Sequence, residues 1–423
     1  MFKVLYNFLI TIFYLPYCLI IFLRIFFKKE HQNKYKQKIL PQKISRPDGY
    51  LFWFHAASIG ELNSVFPIID FFLEKNKNFN FLVTTVTLSS FNEFNKKYGK
   101  NNRVLHQFLP YDSNFLVENF FKNWRPDIVS FVDSEIWPNI FFKIKKKNLP
   151  FFLLNARITK KTFKRWKIVK RFASEVFESV SVSISSNRET VEYLKYFKVR
   201  NIKYFGNIKF CSHLNQLSKA EIDEINSDIK SKVWCAVSTH SGEEIFCSQV
   251  HKILKKTFNN VITVIIPRHI HRTKKIYLDL KKTGLSVQIK NEKQKIDKSS
   301  EIVLVNYYGS VNKYLKRFKQ IFIGKSLIEK LKEDGGQNPI DAAKMGCHIF
   351  HGPHVSNFQE IYDYLNNEKI AEKIENNPDV LAEKLIENFK FESDRNREKI
   401  DKLINYSNEI FINTVKEYQA FIK

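Results

Sequence analysis

A chain of 423 residues, 44% of them hydrophobic, is long enough for two or three domains and too apolar to be disordered throughout. Its formal net charge of +26 asks for something anionic, and without a zinc-finger, RNP or homeodomain pattern the leading partners are an anionic bilayer or phosphorylated substrates rather than nucleic acid. The cysteines Cys18, Cys211, Cys235, Cys247 and Cys347 match neither a disulfide framework nor a metal site, so reduced thiols in a cytosolic setting are expected.

The first element is apolar. Val4 to Leu23 carries no charge, Lys3 precedes it, and Arg24, Lys28 and Lys29 follow. At about 1.5 Å per residue the run is about 30 Å long as a helix, one bilayer core. Phe26-Phe27-Lys28-Lys29 stands where a signal peptide would carry small residues, so the segment is read as retained. Pro16 would kink a spanning helix. Residues 1–27 are therefore expected to be a membrane anchor that spans the bilayer or lies in its interface, with the basic remainder on the cytoplasmic side. Residues 28–48, polar and basic with Pro41 and Pro47, read as a connector.

From Tyr50 onward short apolar runs alternate with longer amphipathic ones. LFWFH (51–55), FLVTTV (81–86), DIVSFV (127–132), FFLLN (151–155) and VSVSI (180–184) are predicted strands. A second series follows in VWCAVS (233–238), VITVII (261–266), EIVLV (301–305), IFIG (321–324) and CHIF (347–350). Strand–helix alternation predicts parallel sheets covered on both faces, hence two doubly wound α/β domains in series. The boundaries are drawn at 49–208, a linker at 209–220, a second domain at 221–394 and a C-terminal helix at 395–423. Such domains bind ligands at the carboxyl ends of their strands.

The candidate chemistry sits at those ends. After the first strand, Ser58 and Glu61 have S-x-x-E spacing. This is either a capping box closing a helix or a carboxylate that takes a proton from an acceptor hydroxyl. Glu135, in DSEIWPN after another strand, either complements a helix dipole or joins Glu61 in acid–base and charge-stabilising work. In the second domain Pro267 and Arg268 end a strand, and an arginine there suits a phosphate or a pyrimidine edge. Tyr308-Gly309-Ser310 opens a helix whose free N–H groups suit a phosphate. The glycine loop from Gly335 runs into Asn338, Pro339, Ile340 and Asp341, where Asp341 suits ribose hydroxyls. There is no Asp-x-Asp and no metal-ligand spacing, so a metal-independent transfer is expected. Residues 157–171 interleave basic and apolar side chains and read as a basic amphipathic helix for an anionic membrane surface, or else as a solvated face of a core-packed helix.

Ten ordered segments then resemble one family. HAASIGE (55–61), TTVT (84–87), LPYD (109–112), DSEIWPN (133–139), LNARIT (154–159), GNIKF (206–210), STHSGEE (238–244), PRHIHR (267–272), GGQNPIDAA (335–343) and HGPHVSNF (351–358) look like the 3-deoxy-D-manno-octulosonic acid (Kdo) transferases. The resemblance implies a GT-B fold of two Rossmann-like domains and a C-terminal helix crossing back to the first. It implies CMP-Kdo as donor, a tetraacylated, bisphosphorylated lipid A precursor (lipid IVA) as acceptor, inversion at the anomeric centre, no cofactor, and a place at the bacterial inner membrane. Glu61 would be the general base, and Glu135 and Lys209 would stabilise the transition state. Pro267, Arg268, Tyr308, Gly309, Ser310 and Asn338 to Asp341 would hold CMP. The departures gather on the nucleotide side: Lys325 stands for a usual Gly, Gln337 for His, Asp341 for Glu, Ala343 for Pro, and Tyr308 and Ser310 for Met and Glu. The alternative within the same fold is a glycosyltransferase or epimerase that uses a UDP-sugar.

Overall fold

The computed structural model describes residues 2–212, 231–390 and 396–422. Of the expected linker, residues 213–220 lie outside them, as do residues 221–230 and 391–394 of the expected second domain. The chain divides into two compact units, Met1–His213 with Ser407–Lys423, and Leu214–Tyr406.

The first unit is built on seven parallel strands: β1 (Tyr50–His55), β2 (Phe79–Thr85), β3 (Val104–Phe108), β4 (Ile128–Val132), β5 (Phe151–Ala156), β6 (Val182–Ser185) and β7 (Ile202–Lys203). Their order is β3-β2-β1-β4-β5-β6-β7, so the direction of winding reverses between β1 and β4. The second unit repeats the plan with β8 (Lys232–Thr239), β9 (Val261–Pro267), β10 (Val287–Lys290), β11 (Ile302–Val305), β12 (Gln320–Ile323), β13 (His348–His351) and β14 (Ala371–Lys373). Here the order is β10-β11-β9-β8-β12-β13-β14, all parallel, with the reversal between β8 and β12. Central strands such as β1, β4 and β5 are buried along almost their whole length because helices cover both faces, which is why they read as unbroken apolar runs.

All ten predicted strands form. The four without a predicted counterpart, β3, β7, β10 and β14, are the outermost strands of the two sheets. A strand paired on one side only can be short or mixed: IK and AEK are only two and three residues long, and VLHQF and VQIK place polar residues among their apolar ones.

The N-terminal segment forms two helices, Phe2–Ile12 and Tyr14–Phe26, bent by 42° at the break; among the described residues no single helix is long and apolar enough to cross a membrane, while the bent pair taken together has the length and composition of a span. Pro16 explains the position of the bend. It falls in the first turn of the second helix, where its missing N–H is not needed, and its ring excludes the carbonyl of Ile12, the last residue of the first helix. Tyrosines on one side fasten the pair to the first unit. The Tyr6 hydroxyl donates to Asp112 Oδ2 at 2.7 Å, the Tyr111 hydroxyl donates to the Ile10 carbonyl at 3.0 Å, and Tyr17 stacks on Tyr111. The other side exposes Val4, Phe8, Ile12, Leu15, Leu19, Leu23 and Phe26. Residues 28–48 are largely exposed or half-buried but are pinned at Lys38, whose buried ammonium binds Glu30 at 2.6 Å and the Val86 carbonyl at 2.7 Å.

The basic segment 157–171 is not one helix. It breaks at Val169 between helices Lys160–Ile168 and Lys170–Phe177. Phe163 stacks on Tyr193 and Trp166 packs on Phe172, so its aromatics face the core, while Ile168 is 82% exposed.

The last helix, Asn396–Gln419, counts with the second unit through Tyr406 and with the first from Ser407 onward. Its far end is core material: Tyr418 is fully buried, stacks on Phe152 with ring centroids 4.3 Å apart and shares a 2.7 Å hydrogen bond with Ser130.

Candidate active site

In the first unit the switch point lies between β1 and β4, and Glu61, Glu135 and Lys209 all reach it. β1 ends at His55, and Ser58 caps the helix Ile59–Lys75, its hydroxyl accepting from Glu61 N. The Glu61 carboxylate reaches back, Oε2 accepting from Ala57 N at 2.8 Å and Oε1 from the Ser58 hydroxyl at 2.9 Å. The capping box is therefore real. It does not exclude the other reading, because a carboxylate offers about four acceptor positions and the cap occupies two. Burial first, then the negative charge of Asp133 and to a smaller extent of Glu135, pushes the Glu61 pKa up to about 7 against the pull of its hydrogen bonds. A carboxylate tuned there is suited to take a proton near neutral pH.

Glu135 follows β4. Burial would raise its pKa, but His55 and the Trp137 indole N–H, 3.0 Å from Oε2, outweigh it and hold the carboxyl below its ordinary value. His55 Nε2 lies 3.5 Å from the same oxygen, while its Nδ1 meets the Thr84 hydroxyl at 2.9 Å. Glu61 is thus the carboxylate that favours its proton and Glu135 the one that favours its charge.

Lys209 sits on a 3-10 turn, Ile208–Cys211, packed against the helix Ile59–Lys75. Its ammonium is paired with Asp133 Oδ2 at 2.6 Å. Asp133, which opens the DSEIWPN motif, organises the site. Its other oxygen accepts from the Asn155 amide, and Asn155 Oδ1 accepts from Ile208 N at 3.0 Å, fixing the turn that carries Lys209. Asp133 and Asn155 end neighbouring strands with φ of 58° and 55°. Asp and Asn tolerate that left-handed conformation better than other residues with a Cβ, and this was the signal available in the sequence. His55 gave no such signal, since a histidine closing a buried strand reads as core.

Asp112 of LPYD clamps the helix that follows Glu135. Fully buried, it accepts from Asn139 N at 2.9 Å, Ile140 N at 3.0 Å and the Tyr6 hydroxyl, so it caps the helix Pro138–Lys146 and ties it to the N-terminal helices.

In the second unit the expected nucleotide residues follow the carboxyl ends of β9, β11 and β12. Pro267 ends β9. Arg268 is exposed, and its guanidinium has no hydrogen bond or ion pair among the described residues. Tyr308 is exposed, Gly309 has φ of 75°, and the buried Ser310 hydroxyl turns inward to the Tyr307 carbonyl, so the Ser310 side chain is not presented to a ligand. Asn338 Oδ1 accepts from Ile340 N at 3.1 Å, an Asx turn around Pro339 that leads into the short helix Ile340–Lys344. Asp341 is half-buried, and burial raises its pKa against the pull of Lys344. The glycines are required by contact: a Cβ on Gly335 would lie 2.2 Å from the His354 carbonyl oxygen, and one on Gly352 2.2 Å from that of Ser326. Glu243 anchors the floor, accepting from the amides of His240, Lys325, Ser326 and Leu327 at 2.8 to 3.1 Å. Glu244 holds Arg272 through two 3.1 Å bonds. Among the described residues no group of three or more His, Cys, Asp or Glu side chains converges as a metal site.

Residues 24–212 match the family model of the 3-deoxy-D-manno-octulosonic-acid transferases (kdotransferases). A 3-deoxy-D-manno-octulosonic acid transferase of Rickettsia bellii is 29% identical over 379 residues, 89% of this chain and 88% of that protein. A probable mitochondrial 3-deoxy-D-manno-octulosonic acid transferase of Arabidopsis thaliana is 29% identical over 342 residues, 78% of this chain and 75% of that one. Among solved structures, a UDP-GlcNAc 2-epimerase from Neisseria meningitidis is similar with TM-score 0.58 at 13% identity, covering 88% of this chain and all of that one, a likeness of fold alone: two parallel-sheet α/β domains of GT-B-like type. Taken with the motifs at its strand ends, these matches make the chain a relative of the Kdo transferase family, and a glycosyltransferase by that kinship.

Proposed function

We propose that this chain transfers Kdo from CMP-Kdo to lipid IVA, with inversion and without a metal, at the cytoplasmic face of the bacterial inner membrane. The observation that carries the proposal is Glu61: a carboxylate at the switch point of the first unit, with its pKa near 7, acceptor positions to spare, and a place in the first motif of the family. In the proposed reaction Glu61 takes the proton from the acceptor hydroxyl as its oxygen attacks the anomeric carbon, and CMP leaves with the bonding electrons. Glu135, held ionised, and Lys209, held by Asp133, act on the charge that develops at the sugar. On the donor side, the guanidinium of Arg268, which has no ion pair among the described residues, meets the nucleotide. Pro267, Gly309 and the segment from Asn338 through Asp341 shape its pocket. Attachment to the bilayer rests on the bent helical pair, whose apolar side is exposed and flanked by Lys28 and Lys29.

The test is an assay with CMP-Kdo and lipid IVA, with products resolved by mass. The wild type is expected to add Kdo, and Glu61→Gln to lose about 10²- to 10⁴-fold in rate while still binding CMP. Full turnover by the variant removes Glu61 from the reaction. Thermal stabilisation by UDP and not by CMP replaces the donor.

A further inference from the structure

Lys325 occupies a backbone conformation that suits glycine. Its φ is 60°, where any Cβ is strained, and nothing in the backbone calls for a lysine. The position is fixed from both sides. Lys325 N donates to Glu243 Oε2 at 2.8 Å, and the Lys325 carbonyl accepts from Gly336 N at 2.7 Å, joining the turn after β12 to the glycine loop. A glycine would keep both bonds without the strain. The neighbouring Gly324 shows the opposite requirement, since a Cβ there would lie 2.6 Å from Glu243 Oε2.

The side chain is therefore the feature to explain. It is half-buried, and among the described residues its ammonium has no carboxylate within 4.0 Å and no hydrogen-bond partner. The nearby acids are committed elsewhere: Glu243 to four backbone amides, Glu244 to Arg272. Positive charge gathers here all the same. The His240 pKa is lowered by burial first, and then by Lys325, His269 and Arg272. β8 and β12, which carry His240 and Lys325 at their carboxyl ends, are the two strands that flank the switch point of this unit. A cation without a carboxylate partner among the described residues, in a strained backbone at the place where such sheets bind ligands, is a site prepared for an anion.

We infer that Lys325 contacts the phosphate of the donor nucleotide, as a binding residue additional to those assigned above. The inference rests on the reading of the second unit as a nucleotide-binding domain. It deepens that reading by naming the group contacted: the phosphate, not the base or ribose.

The experiment compares the full-length wild type in detergent with Lys325→Gly and Lys325→Arg. Affinities for CMP and for cytidine are measured by calorimetry, and melting temperatures are taken without ligand. Lys325→Gly should melt higher than the wild type because strain is relieved, bind CMP about tenfold more weakly or worse, and bind cytidine unchanged. Lys325→Arg should recover most of the CMP affinity. Unchanged CMP affinity in Lys325→Gly, or equal losses for CMP and cytidine, overturns the inference. If the wild type binds UDP and not CMP, the donor reading falls and the same comparison with UDP and uridine decides Lys325. If it binds neither nucleotide, both fall.

Discussion

Glu61 shows how one side chain closes a helix and stays available for chemistry. The cap consumes one acceptor position on each oxygen, and burial, followed by the charges of Asp133 and Glu135, keeps the remaining lone pairs basic. Two consequences can be measured, one on the wild type and one on Glu61→Gln. In the wild type the transfer rate should rise with pH along a limb centred near 7, because the base works only when ionised. Stability runs the other way. The folded pKa, about 7, lies above the ordinary 4.5, so the folded protein binds more protons between those values. The contribution of this group is full below about 4.5 and is lost as pH rises through about 7. The melting temperature of the Gln variant relative to the wild type should therefore increase between pH 5 and pH 8. A constant difference would mean that Glu61 is not held near neutrality.

At the scale of elements, two clamps fasten the ends of the chain to the first sheet. Asp112 satisfies the amides that open the helix Pro138–Lys146 and accepts the Tyr6 hydroxyl from the N-terminal pair. Asp112→Ala leaves those buried donors without partners and should cost roughly 1–3 kcal/mol in urea unfolding. It should also disturb Glu135 and Trp137, which immediately precede that helix. Tyr418 fastens the other end, stacked on Phe152 beneath the sheet. Tyr418→Ala removes a fully buried ring and should cost about 3–5 kcal/mol. A loss under about 1 kcal/mol would show that the final turns of the helix Asn396–Gln419 are not part of the core.

For the whole molecule, the bent N-terminal pair presents one apolar face that nothing among the described residues covers, with Leu15 at 75% exposure and Phe26 at 81%. If that face enters a bilayer, Leu15→Asp should leave the melting temperature within a degree or two and lower binding to anionic vesicles about tenfold or more, since burying a leucine contributes about 1.5–3 kcal/mol. Vesicle binding equal to the wild type would assign the face to another partner.

The sequence by itself determined the two parallel α/β units, the ten inner strands and the placement of the candidate residues at strand ends, because buried strands and the turns that leave them impose composition directly. It also carried the family resemblance through motifs such as HAASIGE and GGQNPIDAA. Tertiary structure decided the rest. The outer strands β3, β7, β10 and β14 take their conformation from a neighbour rather than from their own apolar content. The N-terminal segment bends because Pro16 excludes the Ile12 carbonyl, and tyrosines hold its inner side to the first unit. Asp133 pairs with Lys209 across 76 residues of sequence, a relation that no local pattern encodes. Whether a carboxylate such as Glu61 or Glu135 keeps its proton depends on how far folding buries it and on which charges and hydrogen-bond donors folding brings beside it, and only the folded chain sets those distances.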